Sequence, residues 1–267
     1  GIQQGKSAPS GSGRCADTRN RGEEMEIRRI GVIGPGMMGS GIAQLAAMNG
    51  FEVNLNGMDE ATLKQGLDAI GKFMRVGVER GKYTADDLTG VFSRITTFTS
   101  IEEAVRDCDF VIESVFELAD LKRDIFRSLE KYAPPHAVLA TNTSSISIAE
   151  IASVMSDPGR VVGMHFNSPV PVSRIVEIIS SVYTTAECRD AAVGLAGMLG
   201  KEHIRAKDFP GFVPSRIGTV LVNQAFYLLQ DGVATPEDID KAAKLTFNHK
   251  MGPLELGDYI GLDTILR

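Results

Sequence analysis

The sequence predicts an α/β protein in which a doubly wound, parallel-stranded sheet is followed by a smaller, all-helical domain. Three observations carry that prediction. From residue 29 to about residue 206, short β-branched runs alternate with amphipathic helical stretches, the pattern of a parallel sheet covered on both faces. The first of these strands runs through a glycine-rich turn directly into a helix. Beyond Lys207-Asp-Phe-Pro-Gly211 the strand signals cease and only helical patterns follow.

Composition narrows the class further. The chain has 267 residues with 43% hydrophobic content, enough for one large or two ordinary domains. A net charge of −6 speaks against nucleic acid or an anionic membrane as the main partner. No apolar run reaches membrane-spanning length. Cys15, Cys108 and Cys188 are few, widely spaced and odd in number, which reads as a reducing, cytoplasmic setting without a disulfide framework. His136, His165, His203 and His249 form no ligand-spaced cluster, so no metal is expected. Residues 1–24 are Gly/Ser/Arg-rich without the apolar segment of a secretory signal, and Asp17, Glu23 and Glu24 argue against organelle targeting. They read as a disordered extension or a vector remnant, with Met25 as the natural start.

Taken in order, Ile30, Val32 and Ile33 form the first strand, which enters Gly34-Pro-Gly36-Met-Met-Gly39 and then a helix with apolar Ile42, Leu45, Ala46 and Met48. Strand, GxGxxG turn and helix in that order are the dinucleotide-binding fingerprint of a Rossmann-type sheet. Gly34 permits the tight turn, Gly36 lets backbone approach a pyrophosphate, and Gly39 lets the helix lie close on the sheet. The free N–H groups of Met37, Met38 and Gly39 at the helix start attract the phosphates. Glu52-Val-Asn-Leu-Asn56 is a half-buried second strand, 59–81 one long helix, and Arg94-Ile-Thr-Thr-Phe98 a short strand. Ser100-Ile-Glu-Glu opens a short helix with a capping box. Phe110-Val-Ile112 is a buried strand, and the helix over 118–132 stops at Pro134-Pro135. Ala137-Val-Leu-Ala140 runs into Thr141-Asn-Thr-Ser-Ser145, whose hydroxyls suit helix N-capping. Strands at Val161-Val-Gly-Met164 and Arg174-Ile-Val-Glu-Ile-Ile179, a helix over 185–199 and a strand at Glu202-His-Ile-Arg205 complete the domain over 25–206. In the helical domain, 207–267, helices are expected over 212–231, from Thr235-Pro-Glu-Asp onward with Pro in the first turn, and over 254–267.

His165 follows a buried strand and precedes a Pro-rich loop, which places it at a strand's carboxyl end, where ligands of such sheets bind. Glu177 shares a strand face with Ile175 and Ile179, and a carboxylate among apolar neighbours needs a partner. Together they suggest a histidine general acid/base whose far nitrogen is oriented by a carboxylate.

Several ordered strings resemble the L-3-hydroxyacyl-CoA dehydrogenase family, which includes bacterial 3-hydroxybutyryl-CoA dehydrogenases. They are Gly31-Val-Ile-Gly-Pro-Gly-Met-Met-Gly-Ser-Gly-Ile-Ala-Gln44, Ile112-Glu-Ser-Val-Phe-Glu117 with Lys122, and Thr141-Asn-Thr-Ser-Ser145. Gly163-Met-His-Phe-Asn-Ser-Pro-Val-Pro171 with Val176-Glu177 follows, then Pro210-Gly-Phe212 with Arg216. Gly232-Val-Ala-Thr-Pro-Glu-Asp-Ile-Asp240 and Met251-Gly-Pro-Leu-Glu-Leu256 are the last. The resemblance implies interconversion of a short-chain L-3-hydroxyacyl-CoA and a 3-ketoacyl-CoA by hydride transfer to or from NAD. It implies His165 as acid/base, Glu177 as its brace, and Ser144 as a hydroxyl on the substrate oxygen. It implies Asn142, Glu117 and Lys122 near the cofactor's nicotinamide and ribose, and a homodimer formed through the helical domain.

Departures from the family pattern are informative. The acid that ends the second strand and accepts the adenosine ribose hydroxyls is Gly57 here, with Asp59 two residues on as a substitute. Its loss weakens NAD binding and removes a charge that repels a 2′-phosphate, although no Arg follows to welcome NADP. Ser168 stands where Asn is commoner, and Ser215 replaces a substrate-site Asn with shorter reach. Of two positions that face coenzyme A, Arg80 keeps a phosphate-binding charge, whereas Phe73 cannot hydrogen-bond. Family members carry further C-terminal helices after the position of Arg267, so the helical domain is expected to be incomplete and Phe212, Val220 and Leu228 to lose burial. Two other readings use the same residues: a same-fold dehydrogenase of a non-thioester hydroxy acid, favoured by Phe73 and Ser215, and a non-catalytic nucleotide-binding paralogue, favoured by Gly57.

Overall fold

Arg29–Ile33 (β1) is an apolar run whose last four residues are buried, and Met37–Met48 (α1) follows after a three-residue turn. The computed structural model describes residues 26–266; the extension over 1–24 and the last residue of the expected C-terminal helix lie outside them. The following elements are Glu52–Asn56 (β2), Glu60–Glu79 (α2), Ala85–Ser93 (α3), Ile95–Phe98 (β3), Ile101–Val105 (α4) and Phe110–Glu113 (β4). Ala119–Tyr132 (α5), Val138–Thr141 (β5), Ile148–Ala152 (α6), Val161–Phe166 (β6), Ile175–Ser180 (β7), Ala186–Met198 (α7) and Glu202–Lys207 (β8) complete the sheet domain. The helical part comprises Pro214–Gln230 (α8), Pro236–Thr246 (α9), Pro253–Ile260 (α10) and Leu262–Ile265 (α11).

The eight strands lie in the order β3-β2-β1-β4-β5-β6-β7-β8. Strand order reverses between β1 and β4, so a crevice opens at their carboxyl ends. The core splits into two apolar clusters, one per sheet face. Ile30, Val32, Ile42 and Leu63 belong to one, and Ile33, Phe126, Leu139 and Ile148 to the other.

The sheet is not wholly parallel. β6 and β7 pair antiparallel, and β8 then pairs parallel to β7. The cause is connection length, because residues 167–174 between them are too few for the crossover that a parallel pair requires. The register sets His165 directly opposite Glu177.

Other expectations are refined. The stretch between α2 and β3 holds α3, which begins with a reciprocal capping box between Thr84 and Asp87. At α4, Ser100 accepts the Glu103 N–H, half of the expected box. The helix expected over 254–267 is broken at Gly261, whose φ of 93° interrupts helical geometry. The hydroxyls of 141–145 do not cap α6; Ser147 does, accepting the Glu150 N–H. Phe212 keeps its burial, because it packs into the second cluster beneath the sheet, whereas Val220 is exposed.

Candidate active site

The glycine turn is built for close approach. Gly34 adopts φ 101°, a backbone region that L side chains rarely enter. A Cβ at Gly39 would sit 1.8 Å from the Gly34 carbonyl oxygen, whereas around Gly36 there is open space within 4 Å. Gly36 caps α1 without any side-chain hydrogen bond, so the first-turn N–H groups of Met37, Met38 and Gly39 have no intrahelical partners. Those residues therefore fit a pyrophosphate held on backbone N–H groups.

His165 and Glu177 meet. Nδ1 of His165 lies 2.6 Å from Oε2 of Glu177, and the other oxygen, Oε1, accepts the Val213 N–H at 3.0 Å. Glu177 is fully buried and His165 is 8% exposed. A carboxylate only accepts, so Nδ1 carries the proton and Nε2 is left with a lone pair. No protein group bonds Nε2 among the described residues, and no buried side-chain nitrogen there lacks a partner, so Nε2 is open to solvent. The Phe212 ring stands 5.9 Å from the imidazole, on a residue with φ 41°.

Asn142 ties the strand ends together. Its Oδ1 accepts the Phe166 N–H at 2.9 Å and its Nδ2 donates to Ser114 Oγ at 3.3 Å. Ser144, two residues on, donates through its hydroxyl to Glu117 Oε1 at 3.3 Å. The same carboxylate oxygen accepts the N–H groups of Ser144 and Ser145 and the Thr143 hydroxyl. Burial alone would raise the Glu117 carboxyl, but the Lys122 charge and these donors hold it below the usual value. Lys122 is 1% exposed, with Nζ 2.7 Å from Glu113 and 3.3 Å from Glu117. It therefore holds Glu113 and Glu117 from inside the fold.

The remaining sequence candidates separate. Ser215 is half-buried in the first turn of α8, two residues past the N–H that holds Glu177. Arg80 is exposed at the C-terminal end of α2 and joins none of the others. Asp59 caps α2, accepting the Thr62 N–H at 2.8 Å.

Sequence reasoning missed Glu113 and Lys201. Glu113 is buried, accepts the Thr141 hydroxyl and pairs with Lys122; its signal was a glutamate closing an otherwise apolar strand. Lys201, nearly buried, donates to the carbonyls of Val170 and Ser173 at 2.8 and 2.5 Å, and burial lowers its pKa. Cys108 and Cys188 are pushed up to about 12 by burial, so neither is a nucleophile at neutral pH.

The NAD-binding-domain model of the 3-hydroxyacyl-CoA dehydrogenases matches residues 29–209, and their C-terminal-domain model matches 211–267. The chain belongs to the 3-hydroxyacyl-CoA dehydrogenase family. It is 44% identical over 242 residues to a probable 3-hydroxybutyryl-CoA dehydrogenase of Bacillus subtilis, covering 91% of this chain and 84% of that one. A 3-hydroxybutyryl-CoA dehydrogenase of Bradyrhizobium diazoefficiens is 41% identical, over 90% of this chain and 82% of its own. The crystal structure of (S)-3-hydroxybutyryl-CoA dehydrogenase PaaH1 from Ralstonia eutropha superposes with a TM-score of 0.87 at 39% identity, over 90% of this chain and 85% of that one. As a 3-hydroxyacyl-CoA dehydrogenase this chain is an NAD-linked oxidoreductase. Among the described residues, no helix is long and apolar enough to cross a membrane.

Proposed function

We propose that the protein interconverts a short-chain L-3-hydroxyacyl-CoA and its 3-ketoacyl-CoA, with His165 as general acid/base and Glu177 as its brace. The observation that carries this reading is the 2.6 Å contact between Nδ1 and Oε2 at the carboxyl end of β6. When bound, the nicotinamide supplies the group that accepts or donates hydride. In the oxidative direction Nε2 of His165 takes the 3-hydroxyl proton, and the buried Glu177 carboxylate stabilises the resulting imidazolium. In reverse the imidazolium returns that proton to the carbonyl oxygen. The Ser144 hydroxyl, once turned from Glu117, donates to the same substrate oxygen. Asn142, held by Phe166 and Ser114, borders the nicotinamide end, and Glu117 with Lys122 behind it borders the ribose.

The division into a nucleotide-binding domain over 25–206 and a helical dimerisation and substrate domain over 207–267, including Ser215, belongs to the same reading. So do the homodimer, a cytoplasmic setting and a role in fatty-acid metabolism. The free, buried Cys108 and Cys188 support a reducing environment.

The deciding experiment follows NADH oxidation with acetoacetyl-CoA, beside non-thioester 3-keto acids. Turnover of the thioester, lost in His165→Ala while NADH affinity is nearly unchanged, is the expected result. A folded protein that binds NADH and turns over neither class overturns the catalytic reading; a preference for the free acids overturns the thioester.

A further inference from the structure

The adenosine end of the dinucleotide crevice is built without a carboxylate on the second strand. Two backbone bonds fix the end of β2 beside the glycine turn. Gly34 donates its N–H to the Asn56 carbonyl at 2.9 Å, and Gly57 donates its own to the Phe98 carbonyl at 3.0 Å. In sheets of this kind an acid about 20 residues past the glycine run hydrogen-bonds the ribose 2′-hydroxyl. The same charge repels a 2′-phosphate, so one group serves both attraction and exclusion.

Here the strand end reads Asn56-Gly57-Met58-Asp59. Asn56 is buried with its amide on the Phe98 carbonyl. Gly57 offers no side chain, and a Cβ there would lie 2.7 Å from Leu63 Cγ and 3.1 Å from Pro35 Cγ. The first turn of α2 and the glycine turn itself thus occupy the space that an acid's stem would take. Met58 is exposed and apolar.

Asp59 carries a carboxylate, but its Oδ1 is engaged at the helix start. It accepts the Thr62 N–H in a reciprocal capping box at the start of α2, where the helix dipole favours it. Along the chain, Met58 to Leu63 contains no basic residue to replace the acid. Lys64, the next cation along the chain, is exposed and paired with Asp68.

From Asn56 to Leu63, neither the attraction to a 2′-hydroxyl nor the repulsion of a 2′-phosphate has a dedicated group, and no guanidinium in that stretch favours the phosphate. From that balance we infer that this chain binds NADH and NADPH with similar affinity. The second cofactor class is therefore a 2′-phosphorylated nicotinamide dinucleotide, taken in the same crevice.

The chain contains no tryptophan, so the fluorescence of the reduced nicotinamide reads binding directly. The test titrates NADH and NADPH into the full chain, with AMP and adenosine 2′,5′-bisphosphate as displacing probes of the adenosine end. The expected dissociation constants differ by less than about tenfold, a difference of about 1.4 kcal/mol. Asp59→Asn, which keeps an effective helix cap, should leave the ratio within about threefold of its starting value. A preference beyond tenfold for either cofactor in the unaltered chain overturns the inference. So does a ratio that moves more than threefold in Asp59→Asn, because Asp59 would then be the reader. Both measurements use binding alone, so they stand or fall independently of the acyl substrate.

Discussion

At the scale of single residues, the acid/base pair depends on which imidazole nitrogen holds the proton. Glu177 is an acceptor toward Nδ1 and also toward the Val213 N–H, so its charge selects the tautomer while its position is fixed by backbone. In Glu177→Gln the amide can donate to Nδ1, which moves the proton to Nε2 and removes the base. A loss of about 10²- to 10⁴-fold in kcat is expected, with NADH affinity unchanged in a fluorescence titration. Glu117 yields a different prediction. Its folded-state pKa lies below its ordinary value of 4.5, so its contribution to stability is fully present above that value. The contribution is lost as pH falls through the lowered folded value. Glu117→Gln lacks this contribution, so the melting temperature of the unaltered protein should fall more than the variant's on acidification from about pH 7 to about pH 3. Parallel curves would show that the Thr143–Ser145 turn does not depend on the Glu117 charge.

At the scale of elements, the decisive piece is the β6–β7 connection over residues 167–174. It turns the chain back on itself, sets His165 across from Glu177, and rests against α1, where a Cβ at Gly41 would meet Val170 at 3.0 Å. Lys201, beyond α7, bonds two carbonyls of this connection. Lys201→Met leaves both without that donor and should cost about 1–3 kcal/mol in denaturant unfolding. Faster hydrogen exchange is expected at the Val172 and Ser173 N–H groups, which bond the Pro169 carbonyl. Unchanged exchange there would place the role of Lys201 elsewhere. Much of this architecture was legible in the sequence. Period-two and helical apolar patterns located most of the strands and helices, and His165 at a strand's carboxyl end and Glu177 as a carboxylate among apolar strand neighbours were marked as partners. What stayed hidden has a common cause, because apolar periodicity assigns charged residues to solvent. Glu113, Lys122 and Lys201 are buried through ion pairs and carbonyls that sequence spacing does not show. Helix α3 was missed although Thr84 and Asp87 spell its capping box. The reversal at β7 was readable only from the shortness of the connection before it.

At the scale of the whole molecule, α8 carries an exposed apolar stripe among the described residues. On α8, Val222 and Ala225 are buried, with Ala225 packed against Ile239 and Leu254 in a small separate core. On its other side Val213, Ile217, Val220 and Tyr227 recur at intervals of four, three and seven, and Ile217 and Val220 are 58% and 63% exposed. That spacing places them on one helical face, and a contiguous exposed apolar face marks an association surface. A two-fold dimer can use such a stripe because each copy presents the same face to the other. The double variant Ile217→Asp, Val220→Asp puts like charges on that face of both copies, at positions exposed among the described residues. It should convert a dimer to a monomer in sedimentation velocity, with NADH binding retained because the glycine turn lies in the other domain. If the unaltered protein sediments as a monomer, or the double variant stays dimeric, the stripe is not the self-association surface. The same experiment reports on catalysis, because α8 begins at the segment whose Val213 N–H holds Glu177. Loosening this helix on dissociation should lower kcat more than NADH affinity, which couples assembly to the geometry of the acid/base pair.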